Sequence, residues 1–287
     1  MYVYLEPMGG FNDMLGAIYW AINYCNSTKR ILLLNTMSSH YKFNFSDFFY
    51  FKNLNIICDF NEIKKIFENK NLTIYPNELS SSINNIINNN EYANYFDWTK
   101  NGWIHKDTKI LMNGPTTFPC NKDVIIIIKN QGGPYGVEMF KHLYFKPNII
   151  DYCVNIQSKL QRPYLGIHIR NTDLKSDYHK LYNDHKQHFN KFKCIYIATD
   201  DKNVITYFKS KNPNIFNFIT FPDKNYYNLH GNYNIDNNEK LKELILDIYI
   251  ITMADAFLSN STGGYNNIMR NSFRNISCIN KFKYIIY

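Results

Sequence analysis

The chain has 287 residues, of which 45% are hydrophobic and 17% aromatic, which excludes a disordered protein and suffices for one large domain or two smaller ones. The net charge of +8 favours an acidic partner such as a phosphate, a nucleotide or an anionic glycan. The lysines are scattered and form no basic block, so we expect no nucleic acid among the partners.

The first half of the chain begins as a βαβ unit, the building block of a parallel sheet. YVYL predicts a strand, a Gly-Gly turn follows, and Asn12 or Asp13 can cap a helix that runs to about Tyr24. RILLLN, NIICD and DVIIIIK predict strands, and FNEIKKIFENK predicts a helix capped by Asn61. Between these segments, NNIINNN predicts a surface loop or helix end, and FDWTKNGWIH an irregular, aromatic-rich segment.

The second half alternates strands and helices more regularly. Strands are predicted at YLGIHI, CIYIAT, FNFITF and AFLSN, and helices at 147–160, at 177–190, and in DDKNVITYFKSKN, NEKLKELILDIYIITMADA and STGGYNNIMRNSF. We therefore predict an α/β fold of two Rossmann-like domains, residues 1–150 and 151–287, with a ligand site in the cleft between them.

The cysteine spacing indicates whether the chain can bind a metal, and its apolar runs indicate whether it can cross a membrane. None of the six cysteines belongs to a CxxC pair or lies at zinc-ligand spacing from a histidine, so we predict reduced thiols and no metal site. No signal-peptide pattern opens the chain, and its longest apolar run, VIIII, is too short to span a bilayer. We expect a soluble cytoplasmic protein without a membrane span. Its abundance of Asn, Lys and Ile is typical of an AT-rich genome, as in large DNA viruses and some microbes.

The segment LGIHIRNTD places charged residues at the end of a buried strand. In open α/β sheets ligands bind beyond the carboxyl ends of the strands, and an arginine there can pair with a phosphate through two hydrogen bonds. His168 and Arg170 alternate along the strand and therefore point to the same side. Asp173 could orient Arg170, form a strand-end ion pair with it, or face a sugar hydroxyl.

Three further segments combine a strand end or turn with the start of a helix. In IYIATDD, Asp200 and Asp201 stand where a strand passes into a helix, a position typical of capping. LSNSTGG places Ser261, Thr262 and Gly263 before a helix, where backbone N–H groups can bind phosphate. GGFND repeats the arrangement in the first half, either as a plain tight turn or as a second N–H cluster. With the arginine, these segments predict a nucleotide sugar bound through its diphosphate.

In sequence order, these segments resemble the α1,6-fucosyltransferases. GGFNDML, LGIHIRNTD, IYIATDD and LILDIYIITMADAFLSNSTG occur in this order in the N-glycan core and rhizobial nodulation enzymes, within a superfamily that includes protein O-fucosyltransferases. The resemblance covers most of the chain and is strongest from Tyr164 to Phe273. It implies a GT-B-like fold with an acceptor-side first domain and a GDP-sugar-binding second domain. It also implies an inverting, metal-independent transfer of fucose from GDP-L-fucose to a glycan hydroxyl, without a cofactor.

The resemblance also implies residue roles at the nucleotide. His168 corresponds to a histidine that contacts the guanine or ribose, and Asp247 to the aspartate that reads the edge of the guanine base. Arg170 corresponds to the essential pyrophosphate-binding arginine. Thr262 and Gly263 match a serine pair at the phosphates.

Further matched residues lie around the sugar and in the first domain. Asp173 corresponds to the motif aspartate near the fucose, and Asp200 and Asp201 to a carboxylate pair needed for activity. Gly10 and Asn12 fall in the first-domain loop that closes on the donor.

The chain departs from the family pattern at two positions. The glutamate that serves the core enzymes as probable general base falls on Tyr178, so the neighbouring Asp177 is our candidate base and Asp13 its rival. Gly263 lacks the second serine hydroxyl, which leaves only its backbone N–H to serve there. The stem, membrane anchor and SH3-like domain of the animal enzyme have no counterpart in these residues, so the acceptor glycan stays open.

Two other functions stay open. A transferase of the same fold could use another donor, GDP-rhamnose or GDP-mannose, because contacts to the sugar hydroxyls decide between these donors. The second is a non-catalytic glycan- or nucleotide-binding protein, which the absence of the glutamate would also favour.

Overall fold

A computed structural model describes residues 1–37, 39, 41–80, 94–105, 108–114, 120–221 and 235–282 of the chain. The chain divides into two units, Met1–Tyr144 and Phe145–Tyr287, close to the boundary predicted after residue 150. The NNIINNN segment at 84–90 lies outside the described residues. Among the helices that the structure does describe, none has the length and apolar character needed to cross a bilayer.

Strands and helices alternate along most of the chain. The described strands are β1 (Tyr2–Pro7), β2 (Ile31–Leu34), β3 (Phe49–Phe51), β4 (Ile56–Ile57), β5 (Ile74–Tyr75), β6 (Asn94–Asp97), β7 (Gly102–His105), β8 (Val124–Lys129), β9 (Leu143–Phe145), β10 (Tyr164–Ile169), β11 (Cys194–Thr199), β12 (Ile215–Phe216) and β13 (Ala256–Leu258). The described helices are α1 (Phe11–Thr28), α2 (Phe45–Phe48), α3 (Phe60–Phe67), α4 (Pro134–Phe140), α5 (Pro147–Gln157), α6 (Tyr178–Phe189), α7 (Lys202–Lys211), α8 (Asn237–Met253), α9 (Gly264–Ser272) and α10 (Ile276–Lys281), with a 3₁₀ turn at Asn77–Leu79.

The first unit contains a five-stranded parallel sheet in the order β4-β2-β1-β8-β5. Its two central strands, β1 and β8, are apolar along most of their length and buried, as expected for a parallel sheet covered on both faces. β2 and β4 lie on one side of β1 in the sheet, whereas β8 and β5 lie on its other side. The strand order therefore reverses between β1 and β8, the kind of position where open α/β sheets bind ligands.

Two predicted helix starts need correction. Helix α1 begins after Gly10 and extends to Thr28; neither Asn12 nor Asp13 is its N-cap. Asp13 instead occupies the third helical position, where its Oδ2 accepts a hydrogen bond from Gly10 N at 3.2 Å. Helix α3 is capped by Asp59, whose Oδ1 accepts from the N–H groups of Asn61 (2.9 Å) and Glu62 (3.0 Å), so the predicted cap at Asn61 is wrong.

Two segments differ from their predicted secondary structure. FDWTKNGWIH is predicted as irregular but lies largely in the antiparallel hairpin of β6 and β7. The prediction missed this hairpin because the cross-strand pairing of residues 94–97 with 102–105 has no local sequence signal. Of the predicted strand FNFITF, only its first residue, Phe216, belongs to a strand, β12 (Ile215–Phe216). It stops there because Asn217 donates its side-chain Nδ2 to Ile197 O at 2.8 Å and its Oδ1 accepts from Ile219 N at 3.3 Å.

The second unit contains a four-stranded parallel sheet in the order β12-β11-β10-β13. All residues of β10 and β11 are buried. Helix α8 packs closely on β10, since a Cβ built on Gly166 would lie 2.6 Å from Ile251 Cδ1. The prediction of an α/β fold with parallel sheets is confirmed, whereas the arrangement of two Rossmann-like domains around a donor cleft stays a prediction.

The close approach of α1 to residue 131 provides a stability test in which a Gly→Ala substitution in a helix should destabilise the protein. A Cβ built on Gly16 would lie 1.5 Å from the carbonyl oxygen of Gln131. In an open helix Gly→Ala stabilises by about 1 kcal/mol, but here the methyl group has no room. We therefore expect Gly16→Ala to lower the free energy of unfolding by about 1–3 kcal/mol.

Denaturant unfolding followed by tryptophan fluorescence measures this change, because all three tryptophans belong to the first unit. Asn23→Ala, at an exposed position of the same helix, is the matched control and should be neutral or stabilising. A gain of stability in Gly16→Ala would contradict the close approach.

Candidate functional site

The candidate site is formed at one edge of the second sheet, where three neighbouring strands end. β10 ends at Ile169, and its neighbours β11 and β13 end at Thr199 and Leu258. Because the strands are parallel, the residues that follow them meet at the same edge. The strand order reverses between β10 and β13, so this edge is also the switch point of the second sheet.

The backbone of Arg170 is held by two serines. Arg170 N donates to Ser261 Oγ at 2.8 Å, and Ser176 Oγ donates to Arg170 O at 2.7 Å. The two serine Oγ atoms are themselves 2.9 Å apart. The turn after β10 is therefore tied to the segment after β13 through side-chain hydroxyls, which fixes where the arginine side chain begins.

The two aspartates after β11 hold the next residues of the same turn. Asp200 Oδ1 accepts from Asn171 N at 2.7 Å, and its Oδ2 accepts from Thr172 Oγ1 at 2.6 Å. Asp201 Oδ2 accepts from Asn171 Nδ2 at 2.8 Å, while its Oδ1 caps α7 through Asn203 N, so the predicted capping is confirmed for Asp201. Burial raises the pKa of Asp200, and the hydrogen bonds from Thr172 and Asn171 offset part of that rise.

The Arg170 side chain is oriented by Asp173. Arg170 Nε donates to Asp173 Oδ1 at 2.7 Å, and Nη2 donates to Asp173 Oδ2, in a two-pronged ion pair. Burial alone would raise the pKa of Asp173, but the hydrogen bonds and positive charge of Arg170 lower it overall. Of the alternatives that the sequence left open, the structure shows the ion pair that orients Arg170.

The guanidinium of Arg170 lies against the turn that starts α9. A Cβ built on Gly263 would lie 3.1 Å from Arg170 Nη1, and Gly263 has φ +102°, a backbone conformation that favours glycine. Gly263 is the N-cap of α9, and Thr262 before it is exposed. A positive guanidinium beside helix N-terminal N–H groups is an arrangement suited to an anion.

His168 is buried beneath this turn as a neutral imidazole. Its Nδ1 lies 2.9 Å from Asn266 Oδ1, and Asn266 donates its Nδ2 to Ser261 O at 2.8 Å. Burial lowers the pKa of His168 to about 4, although the hydrogen bond with Asn266 raises it in part. Since the amide oxygen faces Nδ1, the proton resides on Nδ1 and Nε2 is the acceptor nitrogen.

Asp247 is a second buried titratable group of this unit. Its Oδ1 accepts from Tyr196 OH at 2.5 Å, and the residue is 6% exposed. Burial raises the pKa of Asp247 to about 8; the Tyr196 hydrogen bond lowers it in part and the charge of Glu243 adds to the rise. Tyr265 connects helix α8 to His168, because its hydroxyl donates to Leu244 O at 2.7 Å and its ring meets the imidazole edge-on.

The two candidate bases occupy different surroundings. Asp177 is an exposed N-cap of α6, where its Oδ1 accepts from Lys180 N at 2.8 Å and its carbonyl accepts from Asn260 Nδ2 at 2.8 Å. It therefore adjoins the segment after β13. Asp13 belongs to the first unit, where a Cβ built on Gly132 would lie 2.2 Å from its Oδ1.

Gly10 and Asn12 also belong to the first unit. Asn12 is buried and donates its Nδ2 to Gly133 O at 3.3 Å, and Gly10 N donates to the Asp13 carboxylate. The structure thus brings Gly10, Asn12 and Asp13 together against the loop after β8. Their contact with a donor stays a prediction.

Sequence reasoning missed several polar residues that build the site, notably Asn171, Ser176, Tyr196 and Asn266. Only Asn266 carried a usable signal, because it lies three positions before buried Met269 on the apolar face of α9. The others act through contacts between distant segments. Among the described residues, no three His, Cys, Asp or Glu side chains converge in a way that could hold a metal ion.

Comparisons with known proteins identify the fold. No protein-family model and no curated protein sequence matches the chain. Among solved structures, the NodZ alpha-1,6-fucosyltransferase soaked with GDP-fucose is similar over 94% of this chain and 91% of its own, at 15% identity and a TM-score of 0.58. NodZ from Bradyrhizobium matches over 94% and 92%, at 14% identity and a TM-score of 0.57. POFUT1 in complex with GDP matches over 94% of both chains, at 12% identity and a TM-score of 0.54. The chain therefore has the fold of these fucosyltransferases.

The raised pKa of Asp247 predicts how stability depends on pH. The folded-state pKa lies above the unfolded value, so its contribution to stability is present at low pH and is lost between about pH 4 and pH 8. Asp247→Asn cannot ionise. We expect the difference in unfolding free energy, variant minus wild type, to become more positive from about pH 5 to pH 8, by at most about 1.4 kcal/mol per pH unit.

Urea unfolding followed by circular dichroism at several pH values measures this difference. Asp184→Asn, on the exposed face of α6, is the control and should show little pH-dependent difference. If the Asp247→Asn difference is constant with pH, the buried carboxyl has an ordinary pKa.

Proposed function

We propose that this chain belongs to the fucosyltransferase family and transfers fucose from GDP-fucose to a glycan hydroxyl, with inversion and without a metal ion. The fold supports this proposal, because similar solved structures are fucosyltransferases crystallised with GDP-fucose or GDP. One observation carries it. The Arg170 guanidinium, oriented by Asp173, lies against the Gly263 turn at the switch point of the second sheet.

In this proposal the second unit binds the diphosphate of the donor. Asp173 accepts hydrogen bonds from Nε and Nη2 on one side of the guanidinium. In this proposal the Nη1–Nη2 edge of the guanidinium donates two hydrogen bonds to phosphate oxygens. The Gly263 turn and the first N–H groups of α9 supply further donors, and the exposed Thr262 hydroxyl can add one more.

The nucleoside half of the donor is assigned to His168 and Asp247. Neutral His168 offers Nε2 as an acceptor to a ribose hydroxyl or a base N–H. Asp247 has a pKa of about 8 and is largely protonated at about pH 7. A guanine edge, which presents N–H donors, would stabilise the ionised carboxylate and draw this pKa down.

The chemical step needs a base and a stabilised leaving group. In this proposal Asp177 removes the proton from the acceptor hydroxyl, whose oxygen attacks the anomeric carbon from the face opposite the phosphate. The carbon–phosphate-oxygen bond breaks through an oxocarbenium-like state, and GDP leaves with an added negative charge. Arg170 and the α9 N–H groups stabilise that charge. Asp13 is the alternative base, and comparing Asp177→Asn with Asp13→Asn distinguishes them.

Replacing the arginine tests the diphosphate assignment. Arg170→Lys keeps the charge but loses the planar fork, so we expect GDP affinity to fall at least about tenfold and kcat/KM to fall about 10²-fold or more. Calorimetric titration with GDP and release of GDP from GDP-fucose measure the two effects. GDP-mannose and GDP-rhamnose tested in parallel decide the donor.

Arg162→Lys is the matched control, since Arg162 also pairs with an aspartate, Asp255, in the second unit but is half exposed. It should leave GDP binding unchanged. Wild-type turnover in Arg170→Lys would contradict the assignment. Tight GDP binding with no turnover in the wild type, with or without acceptors, would instead favour a non-catalytic binding protein.

The glycine at position 263 predicts an effect opposite to that expected from the family resemblance. Gly263→Ser restores the hydroxyl of the related enzymes, but φ is +102° and the new Cβ would crowd Arg170 Nη1. We expect GDP affinity to fall about tenfold, as measured by calorimetry. Asn267→Ala, exposed in the first turn of α9, is the control for helix integrity. Tighter GDP binding in Gly263→Ser would show that the turn tolerates a side chain.

A further inference from the structure

The positive charge of the chain is concentrated in its second unit. Residues 145–287 contain 19 Lys and Arg against 12 Asp and Glu, whereas residues 1–144 contain 13 against 12. The second unit therefore carries +7 of the net charge of +8. Such an asymmetry between two parts of a chain indicates that one of them meets an anionic surface.

Within the second unit, cations collect where the strands of the sheet begin, at the end opposite to the candidate site. We call this surface the amino edge. It consists of the segments that lead into the four strands and the one that follows α9: residues 161–163, 190–193, 209–214, 253–255 and 273–275. Lysines that are scattered along the sequence thus come together on one surface of the folded unit.

Backbone hydrogen bonds hold these segments side by side. Lys193 N donates to Pro163 O at 2.9 Å, and Ile195 N donates to Asn214 O at 2.9 Å. Adjacent strands of a sheet lie about 4.8 Å apart, so the four strand starts form a row of roughly 14 Å. The cations of these segments are therefore neighbours across the row.

Five exposed cations of the amino edge have no carboxylate partner. They are Lys191, Lys193, Lys209, Lys211 and Arg274. None of the five takes part in an ion pair with any residue that the structure describes. The amino edge contains one carboxylate, Asp255, and Arg162 pairs with it at 2.8 Å. The surface therefore carries a surplus of positive charge.

The carboxyl ends of the helices account for only part of this charge. A helix carboxyl end carries about half a negative charge, which a cation in the last turn offsets. Lys209 and Lys211 lie in the last turn of α7, and Lys191 and Lys193 follow the end of α6. Two lysines at each helix end exceed what the helix dipole can offset, so positive charge remains for a partner.

An exposed aliphatic side chain adjoins these cations. Arg274 N donates to Thr252 O at 3.0 Å, which holds the segment after α9 against the end of α8. Two residues further on, Ile276 begins α10 and is 66% exposed. Cations beside an exposed apolar side chain suit the surface of a bilayer, because the cations attract anionic headgroups while the apolar group enters the boundary with the acyl chains.

We propose that the amino edge of the second unit docks onto an anionic lipid bilayer. Lysine ammonium groups are hydrated point charges, which suit a diffuse layer of headgroups. A single-stranded nucleic acid fits less well, because its bases stack on aromatic rings. Among the described residues, the large aromatic side chains that are exposed, Trp98 and Tyr135, belong to the first unit. This inference does not rest on the proposed function.

Flotation with lipid vesicles tests the proposal on the full chain. Vesicles of phosphatidylcholine containing about 30% phosphatidylserine are compared with vesicles of phosphatidylcholine alone. We expect binding to the anionic vesicles only, and this binding should weaken as NaCl rises from about 0.05 M to about 0.5 M. The double variants Lys191→Gln/Lys193→Gln and Lys209→Gln/Lys211→Gln should each lower the partition coefficient about tenfold. Ile276→Ser should lower it about threefold.

Lys180→Gln/Lys202→Gln is the matched control. These exposed lysines lie in the first turns of α6 and α7, so the control removes two charges from the ends of the same helices that are remote from the amino edge. Its partition coefficient should stay within about twofold of the wild-type value. An equal loss in the control and the edge variants would overturn the proposal, because net charge alone would then explain binding. Absence of binding to the anionic vesicles would overturn it as well.

Fluorescence anisotropy with a labelled DNA duplex and a labelled single-stranded RNA distinguishes a bilayer from a nucleic acid. If both lysine pairs weaken binding of either nucleic acid, and Ile276→Ser leaves vesicle binding unchanged, the amino edge binds nucleic acid and the proposal is overturned. Circular dichroism spectra equal to that of the wild type show that the variants fold.

Calorimetric titration with GDP separates this proposal from the proposed function, because Arg170 follows the end of β10 and the amino edge precedes its start. The edge variants should bind GDP as the wild type does. Vesicle binding by a wild type that does not bind GDP would leave the amino-edge assignment standing and remove the proposed function.

Discussion

The candidate site depends on how the backbone leaves β10, the strand between β11 and β13. Two N–H groups just past the sheet, those of Arg170 and Asn171, are satisfied by side chains from the segments that follow the flanking strands, Ser261 on one side and Asp200 on the other. Burying such a donor without a partner costs about 1–3 kcal/mol, so these bonds constrain the turn strongly. The direction of the Arg170 side chain is a consequence of this constraint.

The charges at this end of the sheet are distributed unevenly. Burial favours the neutral forms of His168 and Asp247, and it raises the pKa of Asp200 as well. Arg170 and Asp173, by contrast, favour each other's charged forms. An anionic ligand would therefore meet a guanidinium that Asp173 orients and that the charge of Asp200 also attracts.

The sequence predicted what local periodicity and strand ends encode, and little of what distant segments share. β8, β10 and β11 were predicted because their apolar runs are continuous, and Arg170 was placed just past a strand for the same reason. The hairpin of β6 and β7 was not predicted, because its stability depends on cross-strand pairing. The short length of β12 depends on the reach of one Asn217 side chain to Ile197 O, which no local pattern encodes.

The two units use glycine for the same physical purpose but present different chemistry at their switch points. Gly16 lets α1 approach the loop after β8, and Gly263 lets the backbone approach Arg170. In the second unit the strand ends carry an ion pair and a helix N-terminus, which suit a phosphate. In the first unit the end of β8 carries Lys129 followed by two carboxamides, Asn130 and Gln131, beside the aromatic rings of Trp20 and Phe96, so most of its polar groups are uncharged.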